Sequence, residues 1–87
     1  LDWGIVNRVV PDGEALKAAT ELARELAQGP TMALGHAKRL ILLSEQESLE
    51  TQMEHEAQEI AAMGKTQDFK EGVTAFAQKR APSFKGQ

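Results

Sequence analysis

The sequence predicts an all-α chain of about four helices, orthogonal or bundle-like, behind a short extended lead-in. Three observations carry this expectation. Apolar residues recur at three- and four-residue spacing over most of residues 13–81. Gly29-Pro30, Gly64 and Pro82 interrupt that pattern at intervals suited to helix ends. Val and Ile cluster densely in one place only, near the start, so no second strand is available to make a sheet.

The lead-in is Trp3-Gly4-Ile5-Val6-Asn7-Arg8-Val9-Val10-Pro11. Gly4 breaks whatever precedes it, the β-branched residues are stiff and favour extended backbone, and Pro11-Asp12-Gly13 is turn chemistry. A lone strand has no pairing partner, so residues 1–12 are expected to be an extended connector from an N-terminal core outside the chain. Residues 13–87 are then a helical domain. The opening on Leu1 rather than Met carries the same expectation, that of a fragment.

Asp12 is placed to cap a first helix of roughly Gly13 to Gln28. Its Leu16, Ala19, Leu22, Ala23, Leu26 and Ala27 share one face. Gly29 suits the position just past the helix, and Pro30 cannot continue it. A second helix is expected from Pro30 or Thr31 to about Leu43, with Thr31 as cap or Pro30 in the first turn. Ala33, Leu34, Ala37, Leu40 and Ile41 form its apolar face. Leu42 and Leu43 widen that face until the end needs cover on more than one side.

For the third helix, Ser44 with Glu47 matches a capping box, and Ser48 with Thr51 is the alternative start. Leu49, Met53, Ala57, Ile60 and Ala61 make one stripe on an otherwise acidic helix that Gly64 ends. Thr66 should cap the fourth helix, with Asp68 complementing the dipole in its first turn. Phe69, Val73, Phe76 and Ala77 line this helix, which ends before Pro82. Gly72 inside it costs about 1 kcal/mol against Ala, which predicts a close packing contact there.

With 87 residues the chain is one domain or part of one. A 41% hydrophobic content with one Trp, three Phe and no Tyr implies a small core of Leu, Val, Ile, Ala and Met. The absence of Cys excludes disulfides and thiolate sites and fits a reducing compartment, so a cytoplasmic location is expected. A net charge of −3 lacks the basic field that nucleic-acid binding requires. No apolar run exceeds four residues, against the roughly 20 of a membrane span, and nothing resembles a signal peptide.

Few residues carry obvious chemistry. His36 and His55 are the only histidines and read as solvated surface residues. His55 lies between Glu54 and Glu56, with Glu59 one turn on, which offers at most a weak divalent-ion site without recognised ligand spacing. The glutamates from Glu45 to Glu59 read as a solvated face, because a catalytic carboxylate pair needs burial to separate its two pKa values. Ser44, Ser48 and Ser83 suit caps and turns better than nucleophiles. Lys79, Arg80 and Lys85 admit two readings. They complement the negative end of the last helix dipole, or they contact a phosphate or nucleotide while Phe76 or Phe84 covers an apolar part of the ligand. Periodicity leaves both open.

The ordered series of motifs adds a resemblance. The lead-in is followed by Gly29-Pro30 with Ala33, Leu34 and Lys38. Asp68-x-x-Glu71-Gly72-Val73-x-Ala75-Phe76 then leads into Lys79-Arg80-x-Pro82-x-Phe84. This series, over essentially the whole chain, resembles the C-terminal part of the enoyl-CoA hydratase/isomerase (crotonase) family. The resemblance implies a parent enzyme whose upstream core holds the acidic residues and the backbone amides that stabilise a thioester-derived oxyanion. It implies hydration, isomerisation or a related reaction of an acyl-CoA, with the CoA thioester as substrate and no separate cofactor. No catalytic residue would lie in these 87 positions. The helices would instead cover the acyl-CoA site and contribute to a homo-oligomer based on trimers. Lys79 matches a position whose ammonium can approach the CoA nucleotide, and Phe76 matches aromatic packing near it. Ile60 matches an apolar position bordering a neighbour's CoA or acyl pocket. The alternative, from the apolar faces of several helices and the wide stripe at Leu40 to Leu43, is a stand-alone helical module that self-associates without catalysis.

Overall fold

Turn chemistry at residues 11–14 decides where the first helix begins. In a computed structural model describing all residues 1–87, the Glu14 N–H donates to the Pro11 carbonyl at 3.1 Å, and Gly13 takes φ +82°. A turn with its third residue at positive φ favours Gly at that position. Asp12 is consumed by this turn and does not cap. Helix α1 therefore runs Ala15–Ala27, with Glu14 at the N-cap and no side-chain cap.

Helix α2 spans Thr31–Ser44, with Pro30 rather than Thr31 at the N-cap. The predicted Ser44–Glu47 capping box does not form, because the Ser44 hydroxyl turns back and donates to the Ile41 carbonyl at 2.7 Å. Ser48, the alternative start, is the actual cap. Its Oγ accepts the Thr51 N–H at 3.2 Å and opens α3, Leu49–Met63. Thr66 caps α4, Gln67–Ala77, by accepting the Phe69 N–H at 3.1 Å. No strand is present. Residues 1–12 form turns and bends, and Trp3 is 90% exposed.

Helices α2 and α3 pack on each other, and α1 lies on α2. Pairing of Leu40 with Gln52 and of His36 with Glu59 makes α2 and α3 run in opposite directions. The assembly is a slab of 43 × 39 × 19 Å with a radius of gyration of 16.4 Å, against about 12 Å for a compact chain of this length. Its accessible surface is 7330 Å², roughly 2,300 Å² more than a compact monomer of this mass exposes. Only Ala75 and Asp68 are buried. The predicted apolar residues are on helices as expected, yet Leu16, Ile41, Met53, Ile60 and Phe76 all face outward. The helices have amphipathic faces without a shared core to bury them.

Candidate functional site: an apolar groove beside a capped helix end

The largest apolar space is a groove of about 420 Å³ where the start of α2 and the end of α3 meet one face of α4 and the tail. Pro30, Met32 and Ala33 contribute from the start of α2, and Met63 from the end of α3. Phe69, Val73 and Phe76 come from α4, and Phe84 from the tail. The α4 stripe predicted from Phe69, Val73 and Phe76 spacing therefore exists, but it lines a groove instead of a core.

The C-terminal end of α4 has a specific closure. The Lys79 N–H donates to the Phe76 carbonyl at 3.1 Å, and the Arg80 N–H donates to the Ala75 carbonyl at 3.0 Å. Lys79 itself has φ +53°. These two bonds with a left-handed residue between helix and tail are a Schellman motif, and its left-handed position is usually Gly. A side chain there costs about 1–2 kcal/mol through its Cβ. The closure holds Lys79 exposed at the corner, three residues beyond Phe76.

The charges around this corner are arranged differently from the dipole reading. The Arg80 guanidinium donates to both oxygens of Glu71, at 2.6 and 2.9 Å, and the Ser83 N–H adds a bond to Glu71 Oε1 at 2.8 Å. The hydrogen bond from Arg80, helped by the Ser83 amide, lowers the Glu71 carboxyl from 4.5 to about 2. The same bond raises Arg80 further above its ordinary value. Arg80 is thus committed to an internal ion pair. Asp68 is likewise more than a dipole complement. It is 5% exposed, and its two oxygens accept the backbone N–H groups of Lys85 and Gly86 at 2.7 and 2.8 Å.

The three residues singled out from the sequence are only partly brought together. Phe76, 86% exposed, lies on the rim of the groove, and Lys79 follows it without lining the groove. Ile60, 74% exposed, lines a separate recess of about 290 Å³ with His36, Leu40 and Glu59. The groove and this recess share Ala33, Met63 and Phe69 as their dividing wall.

The histidines depart from the solvated reading. His36 is half-buried and pairs through Nδ1 with Glu59 on α3, whose other oxygen meets the Arg39 guanidinium. His55 is half-buried too, with Nδ1 enclosed and without a hydrogen-bond partner. Glu59 therefore braces α2 against α3 instead of joining His55, and no cluster of three His, Cys, Asp or Glu side chains forms. The tail contacts of Asp68 and Glu71 went unread in the sequence. Their one available signal was a pair of acids three residues apart, followed within a few residues of the helix end by Arg80 and Ser83.

Comparison with known proteins places this arrangement. The family model described as enoyl-CoA hydratase/isomerase matches residues 1–87. The 1,2-epoxyphenylacetyl-CoA isomerase of Escherichia coli (strain K12) is 40% identical over 85 residues, covering 98% of this chain and 32% of that protein. The 2,3-dehydroadipyl-CoA hydratase of the same organism is 36% identical over 83 residues, covering 95% of this chain and 32% of its own length. Among solved structures, an enoyl-CoA hydratase from Geobacillus kaustophilus HTA426 superposes with a TM-score of 0.94 at 34% identity. That match covers 100% of this chain and 33% of the other. The chain spans about a third of the length of the relatives it matches, and its open four-helix arrangement is one found within a larger enzyme. With a match along every residue in sequence and a shared fold, the chain belongs to the enoyl-CoA hydratase/isomerase family.

Proposed function

We propose that the chain is the C-terminal helical part of an enoyl-CoA hydratase/isomerase-type enzyme, where it covers an acyl-CoA site and contributes to a trimer-based homo-oligomer. The parent chemistry in this reading is hydration or isomerisation of an enoyl-CoA thioester. The oxyanion-binding amides and catalytic carboxylates belong to the rest of that enzyme, and none of these 87 residues takes a catalytic role. CoA enters as substrate, with no further cofactor.

The observation that carries the reading is the apolar groove with an exposed Phe76 at its rim and an exposed Lys79 at the helix closure three residues on. An acyl-CoA is amphipathic in the same way: apolar acyl and aromatic adenine groups are joined through phosphates. An exposed aromatic ring offers a stacking surface, and a Lys ammonium is a compact point charge suited to phosphate. A Lys at a position where Gly would be less strained supports a use for its side chain. Ile60 borders the neighbouring recess, where an apolar side chain would line an acyl or partner pocket. Relatives whose names specify CoA thioesters point to the same substrate class.

Calorimetric titration of an enoyl-CoA into the intact parent enzyme and its Lys79→Ala and Lys79→Gly variants tests the phosphate contact. Both substitutions should weaken binding about tenfold, the scale of one hydrogen bond to a charged group. Unchanged affinity with fold and oligomeric state preserved overturns the Lys79 role. The exposed apolar faces motivate a second reading, a stand-alone self-association module. Light scattering separates this from a free-standing monomer: a stable, soluble monomer refutes self-association.

A further inference from the structure

Helix α4 carries Phe76, yet it has no helix–helix contact as extensive as that of α2 with α3 or α1 with α2. Its ties run largely through the tail that follows it. The Asp68 carboxylate accepts the Lys85 and Gly86 amides, and the Asp68 N–H in turn donates to the Gln87 carbonyl at 2.9 Å. Asp68 is the second residue of α4, so the tail satisfies one of the helix's orphan amide groups. Three residues on, Glu71 holds the Ser83 amide and the Arg80 guanidinium. Between these anchors the Phe84 ring lies over Gly72, 3.6 Å from where a Cβ would stand, and also lines the groove.

The far end of the tail reaches a different helix. Gly86 has φ +72°, and a Cβ built on it would stand 2.6 Å from Thr31 Oγ1, at the first residue of α2. Two independent constraints therefore oppose a side chain there: the left-handed backbone and the approach to the Thr31 hydroxyl of α2. The tail is bonded to α4 along its length and seated on α2 at its tip.

We propose that residues 81–87 are a positioning strap: clasped by Asp68 and Glu71 and seated on Thr31 through Gly86, they hold α4 against the start of α2 and keep Phe84 as a wall of the apolar groove. The strap sets the width of the groove and the placement of Phe76 relative to α2. Its consequence for ligand selection rests on the acyl-CoA reading, whereas the clasp itself does not. Asp68, Glu71, Phe84 and Gly86 are positioning residues, acting through the groove they shape.

The test is Gly86→Ala, alone and with Thr31→Ala, in the protein carrying spin labels at exposed Lys38 of α2 and Lys70 of α4. Because residues 81–87 are themselves non-helical, circular dichroism should be unchanged. The Ser83 and Lys85 amides should exchange faster in Gly86→Ala by well over the roughly tenfold that a left-handed Ala alone would give, because the new Cβ also meets Thr31 Oγ1. The α2–α4 distance distribution should broaden. Thr31→Ala removes the crowding atom and should restore part of both effects, leaving only the backbone cost. Faster exchange with an unbroadened distance overturns the strap, since other contacts would then hold α4. An effect of equal size with and without Thr31 overturns the seat on α2. These readouts need no ligand, so a failed enoyl-CoA titration leaves them standing. Conversely, an unaffected strap leaves the Lys79 result intact.

Discussion

Replacing Lys79 with Gly should stabilise the fold while removing a cation, and this separates its backbone from its side chain. Lys79 has φ +53° in the Schellman closure of α4, and both motif bonds are made by backbone groups that Gly retains. Relieving the Cβ strain is worth about 1–2 kcal/mol. The greater freedom of Gly in the unfolded chain returns about 0.4–1 kcal/mol of that, so a net gain of roughly 0.5–1 kcal/mol is expected. In a chain of this size that raises the thermal midpoint by roughly 2–8 °C. Urea titration of wild type, Lys79→Gly and Lys79→Ala measures it, and Ala is the control because it keeps the strain and also loses the charge. Gly should be the most stable of the three, with Ala close to wild type. A Lys79→Gly variant less stable than Lys79→Ala would refute the reasoning, because it would mean that the left-handed backbone is not what the position requires.

Two further outcomes follow from the same contacts. The Glu71 carboxyl is lowered from 4.5 to about 2 in the folded state, so its contribution to stability is fully present above about 4.5 and disappears as pH falls through about 2. The stability difference between wild type and Glu71→Gln should shrink across that window and be flat above it; a difference independent of pH from 6 down to about 2 would contradict the ion pair. Ser48→Ala should cost about 1 kcal/mol in urea denaturation and Ser44→Ala distinctly less, because Ser48 alone caps α3. Equal costs would return the cap to Ser44.

Helix existence could be read from local chemistry because each signal acts within a turn or two of its own residue. Thr66 caps α4 as its spacing indicated, and Gly29-Pro30 and Gly64 separate helices where expected. Local rules failed where two of them competed for one residue. Asp12 was equally suited to a cap and to the turn that Gly13 completes, and Ser44 could cap forward or bond back to Ile41. The site was less legible. Spacing placed Phe76 on the stripe that lines the groove, but nothing local showed that Lys79 would adopt a left-handed backbone or that Ile60 would face a separate recess.

By itself, then, the sequence determined an all-α chain, the helix-capping choices that had no rival, and, through its ordered motifs, the family. Tertiary structure alone decided that the apolar faces find no shared core within these 87 residues, that Glu59 braces α2 to α3, and that the tail closes on Asp68, Glu71 and Thr31. The physical reason is range. Propensity, caps and turns are energies of residues a few positions apart, whereas Asp68 meets Lys85 and Gly86 seventeen and eighteen residues on. Such a meeting depends on how the chain folds back over α4, and no local pattern contains that path.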